Sequence, residues 1–247
     1  MAATAKKEFN RDFSSDSFKT LIVNSKNSSF YVRTWSERII RIEAVIEVSA
    51  RSHADAQKML DLILVNKDES GSDLKLNVKQ PELKTPYKEK TFAEKLFGSS
   101  DTVIKIKFKI MMPMDFDIEL NSSKGEIDIE NMNGNIKVNT SEERINLRNI
   151  SGSLIAYTTN AEINAKLLSL NGEKNELSTT KSDITLEMSE ETRATLRSHA
   201  NNGTIRNDFD IIRNGPFSEY KQYGWINGGG AVINIYNLNG NINIRKF

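Results

Sequence analysis

The clearest pattern in the sequence is an alternation of apolar and polar residues that repeats along the second half of the chain. From Gly125 to Val138 the chain reads GEIDIENMNGNIKV, with apolar residues at every second position on either side of an Asn-Gly turn. The spacing returns eighteen residues later, and again from Ile233 to Ile244. Alternate side chains of a strand point to opposite faces, so this period of two predicts short strands with one apolar face each.

Two short strands cannot bury an apolar face alone, so the repeats favour an architecture that stacks them. Asn and Gly recur at the turns, where they tolerate backbone angles that strain other residues. We therefore predict an all-β, single-domain β-solenoid with one short helix in its N-terminal half. In this fold Ile127, Ile145 and Ile163 become vertical neighbours in a buried column. A hairpin-stacked sandwich is the alternative.

The N-terminal half is less regular. Residues 1–17 are polar and predict a flexible segment, followed by one solenoid domain over 18–247. Within it, residues 18–120 form the first strands, with a helix whose N-cap is Ser52. Residues 80–101 form a long connection interrupted by prolines, in which Phe92, Leu96 and Phe97 fit a short helix. We interpret this connection as a plug over one open end; a partner-binding flap is the alternative.

The C-terminal half, residues 121–247, carries the regular repeats. An aromatic insertion at 207–230 interrupts them. No change in composition marks a domain boundary on either side of this insertion.

Composition excludes several classes of function. The chain has 34 basic and 33 acidic residues, so no global field attracts nucleic acid or an anionic membrane. It has no cysteine and only two histidines, which excludes disulfides, thiol chemistry and multi-histidine metal sites. No run of about twenty apolar residues predicts a transmembrane helix. We expect no cofactor, no metal and no nucleic-acid partner.

The N-terminus has lysines but no apolar core of signal-peptide length behind them. As it stands, the chain predicts a cytoplasmic protein. A cell-envelope or surface location is the alternative, if a signal segment has been removed.

The repeats between Lys124 and Ile244, the Met112-Pro113 step before them and the return at Asn227-Gly228-Gly229-Gly230 resemble the bacterial DUF4097 family of predicted adhesins. The resemblance covers about residues 18–247 and implies a right-handed β-solenoid-like fold. The family has no catalytic motif to carry over. Its members often have an acidic residue after the turn glycine; here Asn135, Ser153 and Asn241 stand at that position, and Glu173 is the exception.

The first candidate site is a column of outward polar side chains at one repeat position. Strand stacking would place its members about 4.8 Å apart, so the column is able to grip a glycan or a cation. The competing interpretation is a solvated face whose Asn side chains hydrogen-bond one another. The predicted column consists of Asp128, Asn146, Asn164, Thr185 and Asn234.

The second candidate is a cluster of rings in the insertion: Phe217, Tyr220, Tyr223 and Trp225. Tyrosine and tryptophan suit protein interfaces and sugar stacking because they combine apolar area with a polar group. The competing interpretation is that these rings close the second end of the solenoid.

The sequence supports an enzyme less well than a binding protein. In the polar column only Asp128 is charged, too few ligands for a calcium-assisted lyase, and no paired carboxylates suggest a glycosidase. Ser198-His199 lacks a nucleophile elbow. Lys105, Lys107 and Lys109 share one strand face, and we interpret them as keeping an apolar strand soluble and preventing edge pairing. Contact with phosphates or lipid headgroups is the alternative.

We therefore predict a non-enzymatic binding or scaffold protein with an unknown protein or glycan partner, present as a monomer or in weak self-association. A structural protein that stacks through its solenoid ends is the alternative, opposed by Arg245 and Lys246 in the last strand. A carbohydrate-active enzyme is a remote third.

Overall fold

A computed structural model describes residues 2–81, 102–170 and 174–247. In these ranges the chain forms two long β-sheets that enclose one apolar core, with one α-helix near the N-terminal end. The elements of the N-terminal half are β1 (Ala3–Ser14), a 3-10 turn (Ser15–Ser17), β2 (Thr20–Asn24), β3 (Ser28–Trp35), β4 (Ile39–Ala50), α1 (His53–Asp61), β5 (Leu64–Ser70), β6 (Asp73–Lys79), β7 (Val103–Pro113) and β8 (Asp117–Asn121).

The C-terminal half consists of short strands. They are β9 (Ile127–Glu130), β10 (Ile136–Asn139), β11 (Ile145–Ile150), β12 (Leu154–Tyr157), β13 (Ile163–Leu167), β14 (Lys174–Thr179), β15 (Ile184–Met188), β16 (Ala194–Ala200), β17 (Ile205–Asn207), β18 (Ile211–Phe217), β19 (Lys221–Ile226), β20 (Ala231–Asn237) and β21 (Ile242–Lys246).

From β7 to β18 successive strands alternate between the two sheets. Sheet A has the order β1-β4-β7-β3-β9-β11-β13-β15-β21-β17, and sheet B the order β18-β19-β16-β20-β14-β12-β10-β8-β2-β6-β5. From β10 to β15 each strand pairs in parallel with the strand two places earlier in the chain, so the chain climbs one strand spacing per turn. We call each pair of consecutive strands, one in each sheet, a rung.

The predicted β-solenoid-like, all-β fold is confirmed. Ile145 pairs in register with Ile127 on one side and with Ile163 on the other, and none of the three is exposed to solvent. Period-two spacing produces this column because a parallel, in-register stack places identical repeat positions on top of one another.

The corners between sheets explain the recurring Asn and Gly. Asn131 and Asn149 adopt positive φ angles of 62° and 57°, and Asn149 Nδ2 donates to Asn131 Oδ1 over 2.9 Å. Three residues after each Asn, the chain passes so close to the preceding rung that a side chain has no room. A Cβ on Gly152 would lie 2.1 Å from the carbonyl oxygen of Gly134.

Both ends of the stack depart from simple progression. The rung β2–β3 lies between β6–β7 and β8–β9, and the rung β20–β21 lies between β14–β15 and β16–β17. The last strand of the chain is therefore inside sheet A. Contrary to the prediction from the sequence, Arg245 and Lys246 do not charge an edge strand, because they belong to β21, which pairs with β15 and β17.

The flexible segment predicted for residues 1–17 is instead an ordered edge strand over most of its length. β1 pairs antiparallel with all twelve residues of β4. Its inner face packs Phe9 and Phe13 against the core, and Lys7 Nζ donates to the carbonyl oxygens of Leu60 and Ile63 at the end of α1. The polar composition of this segment wrongly indicates flexibility, because an edge strand at the end of a sheet keeps one solvated face.

The helix begins where its cap predicts. Ser52 Oγ accepts a hydrogen bond from the backbone N–H of Asp55 over 3.1 Å, and Ala56, Met59 and Leu60 are buried. No helix in 2–81, 102–170 or 174–247 is both long and apolar enough to span a membrane. The predicted plug, with Phe92, Leu96 and Phe97, lies outside the described residues.

Acid is expected to loosen β1 before the repeats. Hydrogen bonds from Lys6 and Arg41 lower the pKa of Glu47 and of Asp12 respectively. Because these folded-state pKa values are depressed, the stabilisation they supply is complete above the ordinary carboxyl pKa of about 4 and is lost as the pH falls below it. Amide exchange in β1, measured relative to β11 in the same sheet, should rise between about pH 5 and pH 3.

The control is the double variant Asp12→Asn, Glu47→Gln, in which this relative rise should be absent. The same rise in the variant would show that other groups fasten β1.

Candidate functional site

The predicted polar column is assembled on the outer face of sheet A. Asp128, Asn146, Asn164 and Thr185 occupy consecutive register positions on β9, β11, β13 and β15. A shallow cavity of about 360 Å³ lies over this column and is lined by Asn146, Asn164 and Thr185. A second shallow cavity, of about 540 Å³, is lined by β7 and the β8–β9 connection instead.

Asn234 is not part of this column, and that prediction is wrong. It lies on β20 in sheet B, between Glu176 and Arg197, while the fifth position of the column is Asn243 on β21. The two strands of each rung share one apolar spacing, so a sequence match does not say which sheet a strand enters. The hairpin β18–β19 adds two strands to sheet B, and the repeat that follows begins in sheet B instead of sheet A.

The hydrogen-bonding capacity of the column is largely used within the protein. Asn164 Nδ2 donates to Asn146 Oδ1 over 3.3 Å, and Asn146 Nδ2 donates to Glu126 Oε1 over 3.0 Å. Asp128 is 8% exposed and lies between two guanidinium groups, with Arg33 Nη1 at 2.6 Å and Arg148 Nη1 at 3.0 Å. This bonding pattern favours a solvated structural face over a ligand site.

The charged end of the column is a compact ion network. Arg148 also reaches Glu130, and hydrogen bonds to Asp128 and Glu130 raise the pKa of Arg148 above its ordinary value. No group of three metal-ligating side chains occurs in the part of the chain that the structure describes.

Sheet B carries a second amide ladder that the sequence reasoning missed. Asn24 donates to Asn77 over 2.9 Å, Asn121 to Asn24 over 2.8 Å, and Asn139 to Asn121 over 2.7 Å. The eighteen-residue spacing of Asn121 and Asn139 was the available signal. The order of Asn77 and Asn24 depends on the rung inserted at the N-terminal end, which the repeats do not reveal.

The aromatic insertion forms the hairpin β18–β19 at the edge of sheet B. The inner face of this hairpin closes the end of the core, because Ile226 is fully buried and Ile211 packs against the hydrophobic core. Gln222 is buried there too, and accepts a hydrogen bond from Asn207 Nδ2 over 3.1 Å. Closure of this end therefore rests on aliphatic and amide groups rather than on the rings.

The four predicted rings lie on one hairpin but not on one face. Tyr223 and Trp225 alternate with buried Gln222 and Gly224 and point outward. Phe217 pairs with Gln222 and so lies on the other side, under the guanidinium of Arg213 at 4.2 Å. Tyr220 lies at the turn. Trp225 is 42% exposed and Tyr220 49%.

Two further rings extend the outward face. Tyr236 on β20 and His199 on β16 pair in register, with ring centroids 5.7 Å apart in an edge-to-face arrangement, and Tyr236 is 44% exposed. Across β16, Tyr223 lies beside Arg197 and Trp225 beside Thr195. We call this area, made of His199, Tyr223, Trp225 and Tyr236, the ring surface.

Two basic side chains accompany the ring surface. Lys221 lies at the edge of the surface, paired with His199, and Arg197 lies at its centre, paired with Tyr223. Burial, together with Lys221, lowers the pKa of His199, so this ring is neutral at physiological pH.

On β14, Glu176 forms an ion pair with Lys174 over 2.8 Å, which lowers the pKa of Glu176. Burial and Glu176 raise the pKa of Tyr157 to about 12.

The remaining polar motifs have structural explanations. Ser198 is fully buried and donates to the carbonyl oxygen of Gln222 over 3.2 Å, whereas His199 points to the outer face, so the two side chains do not work as a pair. The interpretation of Lys105, Lys107 and Lys109 as protection against edge pairing is wrong, because β7 pairs with β4 on one side and β3 on the other. Lys109 instead forms an ion pair with Glu43 over 3.3 Å, across β4 and β7. The charges on this face form a cross-strand pattern that holds the long strands in register.

Comparisons with known proteins agree with this geometry. The family profile described as Toastrack DUF4097 matches residues 70–245. The crystal structure of a candidate cell adhesion protein from Clostridium sporogenes is similar, with a TM-score of 0.51 and 13% identity, over 98% of this chain and 100% of that one. A candidate adhesin from Bacteroides fragilis aligns at 13% identity and a TM-score of 0.36, over 98% of each chain. No curated protein matches the sequence significantly.

Proposed function

We propose that this chain, which belongs to the DUF4097 (Toastrack) family, is a non-enzymatic binding scaffold that holds a protein or glycan partner on its ring surface. The observation that carries the proposal is the pair Trp225 and Tyr236, each more than two-fifths exposed on strands whose opposite faces are buried in the core. Exposed rings on rigid strands lose little conformational freedom when a partner covers them.

The surroundings of the two rings support the same conclusion. Arg197, Tyr223 and Trp225 are of the three residue types that dominate binding energy at protein interfaces, and aromatic faces equally suit sugar stacking. Polar groups on neighbouring strands, such as Thr195 and Asn234, provide a hydrogen-bonding rim. The adhesion named for the Clostridium protein agrees with such a role.

A binding role also explains why the rings are absent from the core. The end of sheet B is closed by Ile226 and its neighbours, so stability does not require Trp225 to be aromatic. Deleting residues 214–225 would remove most of β19, which pairs with β16, and would confuse binding with folding. Point substitution of the rings separates the two.

The test uses the fluorescence of Trp225 to report binding. The chain has two tryptophans, so Trp35→Phe leaves Trp225 as the only one. We expect an oligosaccharide or peptide that covers the ring surface to shift Trp225 emission to shorter wavelength, because the indole loses water. The probes are oligosaccharides of glucose, N-acetylglucosamine and uronic acids, and a library of short acidic and neutral peptides.

For any probe that shifts the emission, affinity is then measured calorimetrically in chains that keep Trp35. Trp225→Ala with Tyr236→Ala should weaken binding at least about a hundredfold, since each hot-spot ring is worth about 2 kcal/mol or more. The unfolding midpoint should barely change. The matched control, Leu64→Ala, removes an apolar side chain that is 52% exposed at the opposite end of sheet B and should bind normally. Equal affinity in the ring variant and the control would overturn the proposal.

A further inference from the structure

The rung β20–β21 is the last to be made and yet lies inside the stack. β20 pairs with six residues of β14 on one side and with seven residues of β16 on the other. β21 likewise pairs with five residues of β15 and three of β17. The earlier rungs β14–β15 and β16–β17 are therefore separated by one rung, and the C-terminal segment fills the slot between them.

This rung also fastens the C-terminal end to the rest of the protein. In the described residues, β16 pairs only with β19 and β20, and β17 pairs only with β21. All sheet hydrogen bonding between the β16–β19 end and the main stack thus passes through β20–β21. Without this rung the slot would expose unpaired strand edges on both sides, which are templates for an added strand.

The slot accepts one particular sequence. Ile233, Ile235, Ile242 and Ile244 fill the core column, and none of them is more than 2% exposed. The corner between the strands is bonded on both sides: Asn239 N donates to the carbonyl oxygen of Thr180 over 2.9 Å, and Asn202 N donates to that of Leu238 over 2.9 Å. A second copy of this chain carries the same segment.

The connection before this rung has the properties of a hinge. Residues 227–230 cross over the start of β16, because Ile226 and Ala231 both pair with Ala194, on opposite sides of the strand. Asn227, Gly228 and Gly229 have consecutive positive φ angles of 49°, 83° and 85°. Gly230 passes so close to Arg193 that a Cβ would lie 2.4 Å from its carbonyl oxygen.

A short hinge connection favours exchange of the segment that follows it. We propose that residues 231–247 form an exchangeable arm, and that two copies of the chain swap arms so that each β20–β21 fills the slot of the other. Every contact of the arm is preserved in the swapped dimer, and only the hinge changes. The proposal does not depend on the ring surface.

Hinge length provides a direct way to drive the exchange. The crossing must span two strand spacings, about 9.6 Å, and also bend around β16. The native hinge has five Cα steps from Ile226 to Ala231, a reach of roughly 17 Å. Deleting Gly228 and Gly229 leaves three steps, roughly 10 Å, with no length left for the bend. The shortened chain should therefore be unable to fill its own slot.

Cysteine pairs report which chain supplies the arm, since the native chain has no cysteine. A disulfide between Thr185→Cys and Asn243→Cys links the arm to one wall of the slot, because these residues pair in register on β15 and β21. We call this the slot pair. The matched control is Asn146→Cys with Asn164→Cys, a register pair in the same column that does not involve the arm. Neighbouring parallel strands place such pairs about 4.8 Å apart, within disulfide range.

Each pair is introduced separately into the full-length chain and into the hinge-shortened chain. The four variants are refolded at several concentrations and then oxidised. We expect the slot pair to form interchain disulfides in nearly all of the shortened chain, and in the full-length chain to a fraction that rises with refolding concentration. The control pair should stay intrachain in both. Intrachain slot disulfides in both chains at every concentration would overturn the proposal, and so would unpaired thiols in a monomeric shortened chain.

Discussion

Replacing Ile184 with alanine is expected to lower the free energy of unfolding by about 2–5 kcal/mol. Ile184 is fully buried, with Ile163 on one side in register and Ile242 on the other. The substitution removes side-chain volume from the middle of a column whose backbone is held by hydrogen bonds to rungs above and below. The walls of the cavity cannot collapse freely, which places the cost well above the simple transfer term.

Thr185→Ala is the matched control for this substitution. Thr185 is the next residue of the same strand and points outward, so its removal should change stability by less than about 0.5 kcal/mol. Chemical denaturation of the two variants measures the difference. Similar losses in both variants would mean that Ile184 does not lie in a packed column.

A second large effect is expected at the corner glycine Gly152. A Cβ there would lie 2.1 Å from the carbonyl oxygen of Gly134 and 2.6 Å from that of Asn133, and neither backbone atom is free to move aside. Gly152→Ala should therefore cost about 3 kcal/mol, the upper end of the usual range for overpacking, because two rungs must separate at this corner.

Gly71→Ala tests whether this cost is steric. Gly71 has a φ of 62° and no atom within 4 Å of its hypothetical Cβ, so alanine there pays only the left-handed backbone penalty of about 1–2 kcal/mol. Thermal or chemical unfolding of the two variants should rank Gly152→Ala as the more damaging. The reverse ranking would show that the turns of the stack are not closely packed.

The sequence contained enough to predict the regular part of the fold. In β9, β11 and β13 the apolar residues occur at every second position, and the eighteen-residue spacing places Ile127, Ile145 and Ile163 in one column, as the register confirms. Such local periodicity determines which side chains face inward. It also located the corner residues Asn131 and Asn149, whose positive φ angles are the reason for their recurrence.

The order of the rungs at the two ends could not be predicted in the same way. Placing β20 between β14 and β16 depends on contacts between segments distant in sequence, and each rung has nearly the same apolar pattern. For this reason Asn234 was assigned to the wrong sheet, and Asn243 was missed. The polar strand β1 was also missed, because its inward residues Ala5, Phe9 and Phe13 are separated by charged ones.

The candidate site was predictable in position but not in orientation. Aromatic composition identified the hairpin, yet only the pairing with β16 shows that Tyr223 and Trp225 point outward and that Phe217 does not join them. His199 and Tyr236 complete the ring surface because β20 pairs with β16 on the side opposite β19. No local pattern brings these two residues together.

The vertical column of isoleucines holds the stack together, and methyl NMR tests its existence most directly. In a sample with labelled isoleucine δ1 methyl groups, we predict nuclear Overhauser contacts that link Ile127 to Ile145, Ile145 to Ile163, Ile163 to Ile184, and Ile184 to Ile242. The chain of contacts should continue from Ile242 to Ile205. A contact from Ile184 to Ile205 in place of Ile242, or no contact among Ile127, Ile145 and Ile163, would contradict it.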